Sequence, residues 1–389
     1  MKFKFAVLRR SLLLVLLTAV VVVQMIPSWG VVYTEAIYPV IATNLIAFSN
    51  LFPFALGDLL VFLSVVALFT FPFYARKKQH SLKYIVGREV ELLLLLYVWL
   101  YMAWGLNYSQ PHFYKRTQMP VVQCDSVAFN LFAHTYIQRL NAAYRALQNS
   151  NEDDTNTLST EQNAVAKDTM AARSLPEKGI QSLVPMDKKL KEIVATEVVH
   201  QYSVLPVVFG LSRPFCNTPR VKQMLFSRAA SWLGVRGAMS PFFCEFTINS
   251  EVLPFSYPAV YAHELAHQLG VTSEAEANFY AYWVCTHSDA PALQFSGYFS
   301  LLFHLLNTAH QWMDAASYKQ LLTTIHPGVQ QTIRVYRAYW QKKYNPLIGK
   351  AQRTLYDLFL KANKIKSGGK NYAEVVGLVI SYENWIKNR

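Results

Sequence analysis

Charge is scarce in this chain. Only 16% of its 389 residues are Asp, Glu, Lys or Arg, while 52% are hydrophobic. Soluble domains average about 25% charged. The pairing excludes an ordinary water-soluble protein along its whole length and points to a chain partly in lipid. Cysteine is rare too: Cys124, Cys216, Cys244 and Cys285 are all there is. They form no CxxC pair, which argues against a cysteine-ligated structural zinc. Buried thiols and disulfides both stay open, with three possible connectivities. Acidic residues number 24 against 37 basic ones, a net charge of +13. No nucleic-acid module or interleaved aromatic–basic motif accompanies that excess, so no nucleic-acid partner is expected. The chain also lacks internal repeats, and no small-x-small cleavage site follows its first apolar run.

What is abundant is apolar sequence near the N-terminus. Three runs stand out: Ser11–Pro27, Leu51–Phe73 and Val90–Trp104. Each reaches the roughly 20 residues that cross a hydrocarbon core, the first and third with the help of their flanks. Lys2, Lys4, Arg9 and Arg10 precede the first run, and Arg76, Lys77, Lys78, Lys83 and Arg88 separate the second from the third. Between the first and second runs the only charged residue is Glu35. Basic flanks stay in the cytoplasm, so residues 109–389 are expected outside it. Asp58 reads as a helix-start residue at the interface. The expected organisation is a membrane domain of three transmembrane helices over 1–108, followed by an extracytoplasmic domain over 109–389. Membrane lipid is one expected partner. The basic C-terminal residues read as a solvated helix face, with contact to anionic headgroups as the weaker alternative.

Beyond the spans, "WGLNYSQPHF" (Trp104–Phe113) reads as an aromatic belt leaving the bilayer. Val127–Leu147 and Leu190–Val204 have helical spacing of apolar residues. The polar stretch Asn149–Thr169 reads as a solvated insertion or loop. Met239–Ser250, "MSPFFCEFTINS", alternates like a strand, and Pro241 argues for a sheet edge. The chain after Gln294 reads as helical, with Tyr336, Tyr339 and Trp340 packing as core.

The chemistry concentrates in "YAHELAHQLGVTSEAEANF", Tyr261–Phe279. An HExxH helix stacks His263 and His267 at i and i+4 on one face, where two imidazoles can share one Zn²⁺. Glu264 sits one residue round, placed to take a proton from the attacking water. Gly270 can adopt a left-handed conformation, end the helix and turn the chain back. Glu274 then arrives on a second helix, with Asn278 one turn on and Ala277 and Ala281 keeping the face small. Glu274 is the favoured third ligand. Its competitor, Glu276, points elsewhere on a helix. The pattern is the ExxAN form of the ExxAD seen in glutamate-type zincins, where the aspartate orients a ligand histidine. A candidate edge strand upstream would receive an extended peptide by strand addition. Arg236, Tyr280, Tyr282, His287 and His304 are all candidates for stabilising an oxyanion.

These features resemble a bacterial membrane-protein family of unknown function that carries the zincin signature. The likeness rests on "WGLNY" after the third span, "GVRGAMSPFFCEFTIN" before the site and "HELAHQLGVTSEAEANFYAYWVC" through it. "RGAMSPF" departs from it, since aromatic residues would be expected after the glycine. The resemblance implies a cell-envelope location in the cytoplasmic (inner) membrane and a zincin-like fold. The expected fold class is mainly α, three transmembrane helices followed by an α+β zincin-like domain. The expected activity is zinc-dependent hydrolysis of peptide or protein substrates in the envelope. The alternative from another class is a non-catalytic zinc-binding sensor or scaffold.

Overall fold

The computed structural model describes residues 2–122, 125–162, 186–212, 214–215, 219–363 and 374–388, with side chains for all of these except 2–6 and 151–162. Helix dominates. α1 (Lys2–Met25) runs almost directly into α2 (Pro27–Val32), a π-helical turn (Tyr33–Ile37) and α3 (Tyr38–Ser49). α4 (Leu56–Lys77) and α5 (Leu82–Ala103) follow as an antiparallel hairpin. Among the described residues, three stretches are long and apolar enough to cross a membrane: Val7–Met25, Pro27–Ser49 and Leu56–Lys77, with mean hydropathies of 2.0, 1.4 and 2.1. Residues 28–49, between the first two runs, are themselves helical, a fact obscured in the sequence by Thr34, Glu35 and Pro39 interrupting the apolar run. The third run, Val90–Trp104, lies in the 22-residue α5, whose first half carries Lys83, Arg88, Glu89 and Glu91.

Buried polar contacts set the relative directions of these helices. Arg9 Nε lies 2.5 Å from Glu91 Oε1, and Arg88 Nη1 2.7 Å from Glu91 Oε2. α1 and α5 therefore begin side by side and run the same way. At the opposite end Gly30 packs against Ser109, where an added Cβ would lie 2.4 Å from the Ser109 carbonyl oxygen. Ser49 is held there too. Lys222 Nζ donates to Ser49 O at 2.7 Å and to Glu245 Oε2 at 2.5 Å, while Gly57 N donates to Glu245 Oε1 at 2.6 Å. Asp58 does sit at the start of α4, and its carboxylate accepts from Leu225 N at 2.9 Å.

A 3₁₀ turn (Gly105–Ser109), α6 (Phe113–Thr117), α7 (Ser126–Gln162) and α8 (Lys188–Ser203) lead into a three-stranded sheet. Helix α7 extends past the expected Leu147 through the first part of the polar stretch, whose residues 163–169 lie outside the described chain. Strands β1 (Lys222–Gln223), β2 (Gly237–Ser240) and β3 (Glu245–Ile248) have the order β1-β3-β2, with β1 parallel and β2 antiparallel to β3. α9 (Ser227–Leu233) lies between β1 and β2. The expected single strand over 239–250 is thus the end of β2, a turn and β3. Pro241 falls in the turn, where its missing N–H breaks no ladder bond, and Cys244 closes it with φ +49°.

Helices α10 (Tyr257–Gln268), α11 (Glu274–Thr286) and α12 (Pro291–Trp312) pack on one another and on α7 around buried Phe255, Phe279, Phe295 and Phe299. Each aromatic of that size buries 150–250 Å², so this cluster dominates the core energetics. α13 (Ala315–Thr323), α14 (Pro327–Lys343), α15 (Pro346–Ala362) and α16 (Val375–Lys387) complete the chain. Cys244 and Cys285 are buried free thiols, and Cys124 and Cys216 lie outside the described residues.

Candidate metal centre

The site grows out of two local signals. Spacing of i, i+4 on α10 sets the His263 and His267 rings edge to face on one side of the helix, with centroids 4.7 Å apart. Gly270, at φ +95°, then reverses the chain, a conformation that costs an L-residue roughly 1–2 kcal/mol. Ser273 caps the next helix by accepting from Glu276 N at 3.3 Å, and Glu274 enters its first turn facing α10. Ala277 and Ala281, 0% and 2% exposed, let the two helices close.

The result is three converging ligand atoms. His263 Nε2 lies 3.1 Å from His267 Nε2 and 3.2 Å from Glu274 Oε2; His267 Nε2 lies 3.6 Å from the same oxygen. Tetrahedral zinc with bonds of about 2.0–2.1 Å separates its ligands by about 3.3 Å. The donor set fits in tautomer as well as in distance. His267 Nδ1 faces the Val271 carbonyl at 2.7 Å, which can only accept, so Nδ1 carries the proton. His263 Nδ1 faces Asn278 Oδ1 at 3.0 Å. With each Nδ1 so engaged, it is Nε2 of both rings that faces one space beside the Glu274 carboxylate, where a proton or a metal cation can be held.

Electrostatics follow from burial and from this crowding. Burial alone would raise the Glu274 carboxyl and lower His267. The pair overrides both tendencies: His267 and His263 hold Glu274 well below its usual range, and Glu274 pushes His267 up to about 9. Glu264, 5% exposed, is raised chiefly by burial. Its carboxylate lies against Gly237 on β2, where an added Cβ would stand 2.5 Å from Oε1. Any larger residue there would displace it.

Glu276 is elsewhere. Its carboxylate pairs with Arg116 Nη2 at 2.5 Å, in a buried cluster with Tyr280. Of the five oxyanion candidates, Arg236 and His304 line the cavity over the three ligand atoms, a space of about 680 Å³. Tyr280 bonds to Arg116 and the Phe209 carbonyl, Tyr282 stacks on Tyr136, and His287 stacks on Trp283. His304 is pushed down to about 4 by burial, then by Arg236 and His263.

Several site residues were not anticipated. Tyr356 on α15 donates its hydroxyl to Glu274 Oε1, the oxygen turned away from the histidines. Trp104 is buried rather than part of an exposed belt, and its Nε1 donates to the His267 carbonyl at 2.8 Å. Tyr38 Oη donates to the Gln268 carbonyl at 2.5 Å and Gln110 Nε2 to that of Gly270 at 2.7 Å. A helix leaves its last carbonyls without intrahelical partners; here Tyr38, Trp104 and Gln110, all far upstream in the chain, donate to the carbonyls at and just past the end of α10. Tyr336, expected as core, also faces the cavity and accepts from Arg236 Nη1 at 2.9 Å. The only sequence signal for this support was "WGLNY" itself, because the partners lie far away in the chain.

The fold is that of a mainly helical protein with apolar N-terminal helices suited to a membrane. A family described as "Protein of unknown function (DUF3810)" matches residues 33–380, and the chain belongs to it. No curated protein and no solved structure matches the chain.

Proposed function

We propose that this protein is a membrane-anchored zinc metallopeptidase with a zincin-like site, acting on peptide or protein substrates outside the cytoplasm. The observation that carries the reading is the convergence of His263 Nε2, His267 Nε2 and Glu274 Oε2 within 3.6 Å of one another, beside buried Glu264. Zn²⁺ held by these three residues would supply Lewis acidity and lower the pKa of a water at an open position. Glu264 is the base that takes the proton from the attacking water and returns it to the leaving amine. Its raised pKa suits both halves of that transfer. Arg236 and His304 are the groups placed to stabilise the oxyanion. Strand β2 is the sheet edge on the cavity, and Gly237, Ala238 and Met239 line it, so an extended peptide can add there by main-chain pairing.

The crossing helices in this reading are α1, α4 and α5. Both ends of Pro27–Ser49 lie at the end of the bundle where α4 starts and α5 finishes, held by Ser109 on one side and Lys222 on the other. That stretch therefore lies along the bundle end instead of crossing. The basic residues flanking α1, α4 and α5 put the opposite end in the cytoplasm. Zinc per mole of purified wild type and His263→Ala tests the centre: about one against none is expected, and equal stoichiometry removes the metal. Glu264→Gln should keep zinc and lose peptide cleavage. A cellular phenotype that survives Glu264→Gln would instead support a non-catalytic sensor or scaffold.

A further inference from the structure

Helix α15 turns the wrong face outward for a helix bathed in water. A surface helix of a soluble domain buries its apolar stripe and exposes its charges. In α15, Leu347, Leu355 and Leu358 are 82%, 69% and 58% exposed. At 100° per residue these three fall within an arc of about 80°, with Ala351 and Ala362 inside it. Lys350 and Lys361 flank that arc on one side, and Lys361 pairs with Asp357 at 2.6 Å. The third face points inward, carrying Gly349, Leu360 and Tyr356, the last bonded to Glu274.

The position of α15 says what covers the outer face. Its C-terminal end is tied to the last turn of α5, where Tyr101 Oη donates to Asn363 Oδ1 at 2.6 Å. Its N-terminal end joins α9 through Asn345 N donating to the Trp232 carbonyl at 2.9 Å. At the start of α9, Phe226 meets Phe62 of α4 at 5.6 Å. Phe62 lies six residues into that apolar helix, about 9 Å below its start at 1.5 Å per residue. Helices α9 and α15 thus form an arc joining α4 to α5 near one end of the bundle. Phe226 and Trp232 on this arc are themselves 50% and 47% exposed. Apolar residues facing out beside basic ones, continuous with apolar helices, describe an element lying in a membrane interface.

We propose that α15 is an interfacial helix of the bilayer crossed by the chain's own helices. Leu347, Leu355 and Leu358 sit at the acyl boundary, Lys350 and Lys361 sit among anionic headgroups, and the inner face holds Tyr356 against Glu274. The cavity, walled by Leu100 of α5 and by Gln352, Tyr356 and Phe359 of α15, then opens at the lipid surface. This assignment rests on the crossing of α4 and α5 proposed above, and not on metal or on catalysis.

The test is photo-crosslinking of the full chain in nanodiscs of phosphatidylcholine with phosphatidylglycerol. Leu355 and Leu358 are replaced singly by benzoylphenylalanine, with exposed Gln320 of α13 as the water-facing control. Leu347 serves as a third site should either variant fail to elute as the wild type does. Lipid adducts read by mass spectrometry should be on the order of tenfold more abundant at 355 and 358 than at 320, as for groups placed below the headgroups. Equal labelling at all three positions overturns the proposal. So do adducts between two copies of the protein in place of lipid, which would make this face a protein interface.

Discussion

Asn278→Ala removes one hydrogen bond and no metal ligand, which makes it a sharp probe of the centre. In the wild type, Asn278 Oδ1 meets His263 Nδ1 at 3.0 Å and fixes both ring orientation and tautomer. Alanine leaves that N–H partnerless in a part-buried position and frees the ring to rotate or shift tautomer. Loss of such an outer partner typically costs 10–100-fold in metal affinity, or about 1.4–2.8 kcal/mol at 1.4 kcal/mol per factor of ten. Zinc affinity should be read by competition with a chromophoric chelator at fixed pH, on protein whose monodispersity matches the wild type. Asn278→Asp, which restores a carboxylate on the same imidazole, should bind at least as tightly as the wild type. If Asn278→Ala binds zinc as tightly as wild type, the convergence of the two Nε2 atoms on Glu274 Oε2 is not what holds a metal. The ligand assignment would then have to be rebuilt.

Glu276→Gln should leave zinc stoichiometry unchanged but lower stability by about 3 kcal/mol, because it strands the buried Arg116 charge; metal analysis and thermal denaturation read the two effects separately. Gly270→Ala should destabilise by about 1–2 kcal/mol, since φ is +95° and the new Cβ would stand 3.2 Å from Tyr38 Cε1 and 3.3 Å from Asn107 Oδ1. A melting temperature equal to wild type would show that this turn is not under the constraint described. Reporters active only outside the cytoplasm should work when fused after Tyr108 and stay silent when fused within 78–82. The reverse pattern would put the centre in the cytoplasm.

The amino-acid sequence by itself determined the local parts of the centre. Helical periodicity stacks His263 on His267 whatever surrounds them, and Gly270 stands at the turn because few other residues accept its φ. Those two facts bring Glu274 back toward the histidines and turn Glu276 away, since residues two apart on a helix do not share a face. The apolar runs around α1, α4 and α5 were legible for the same reason: composition and length act locally. Only tertiary structure decided which distant groups complete the site. Tyr356 reaches Glu274 from 82 residues away, and Trp104 reaches the His267 carbonyl across 163. No period or spacing encodes such pairings, because they arise when α5, α10 and α15 pack together. The same holds for Pro27–Ser49, whose hydropathy suits a span. Which residues hold its two ends, Ser109 against Gly30 and Lys222 against Ser49, is decided by the packing of distant elements.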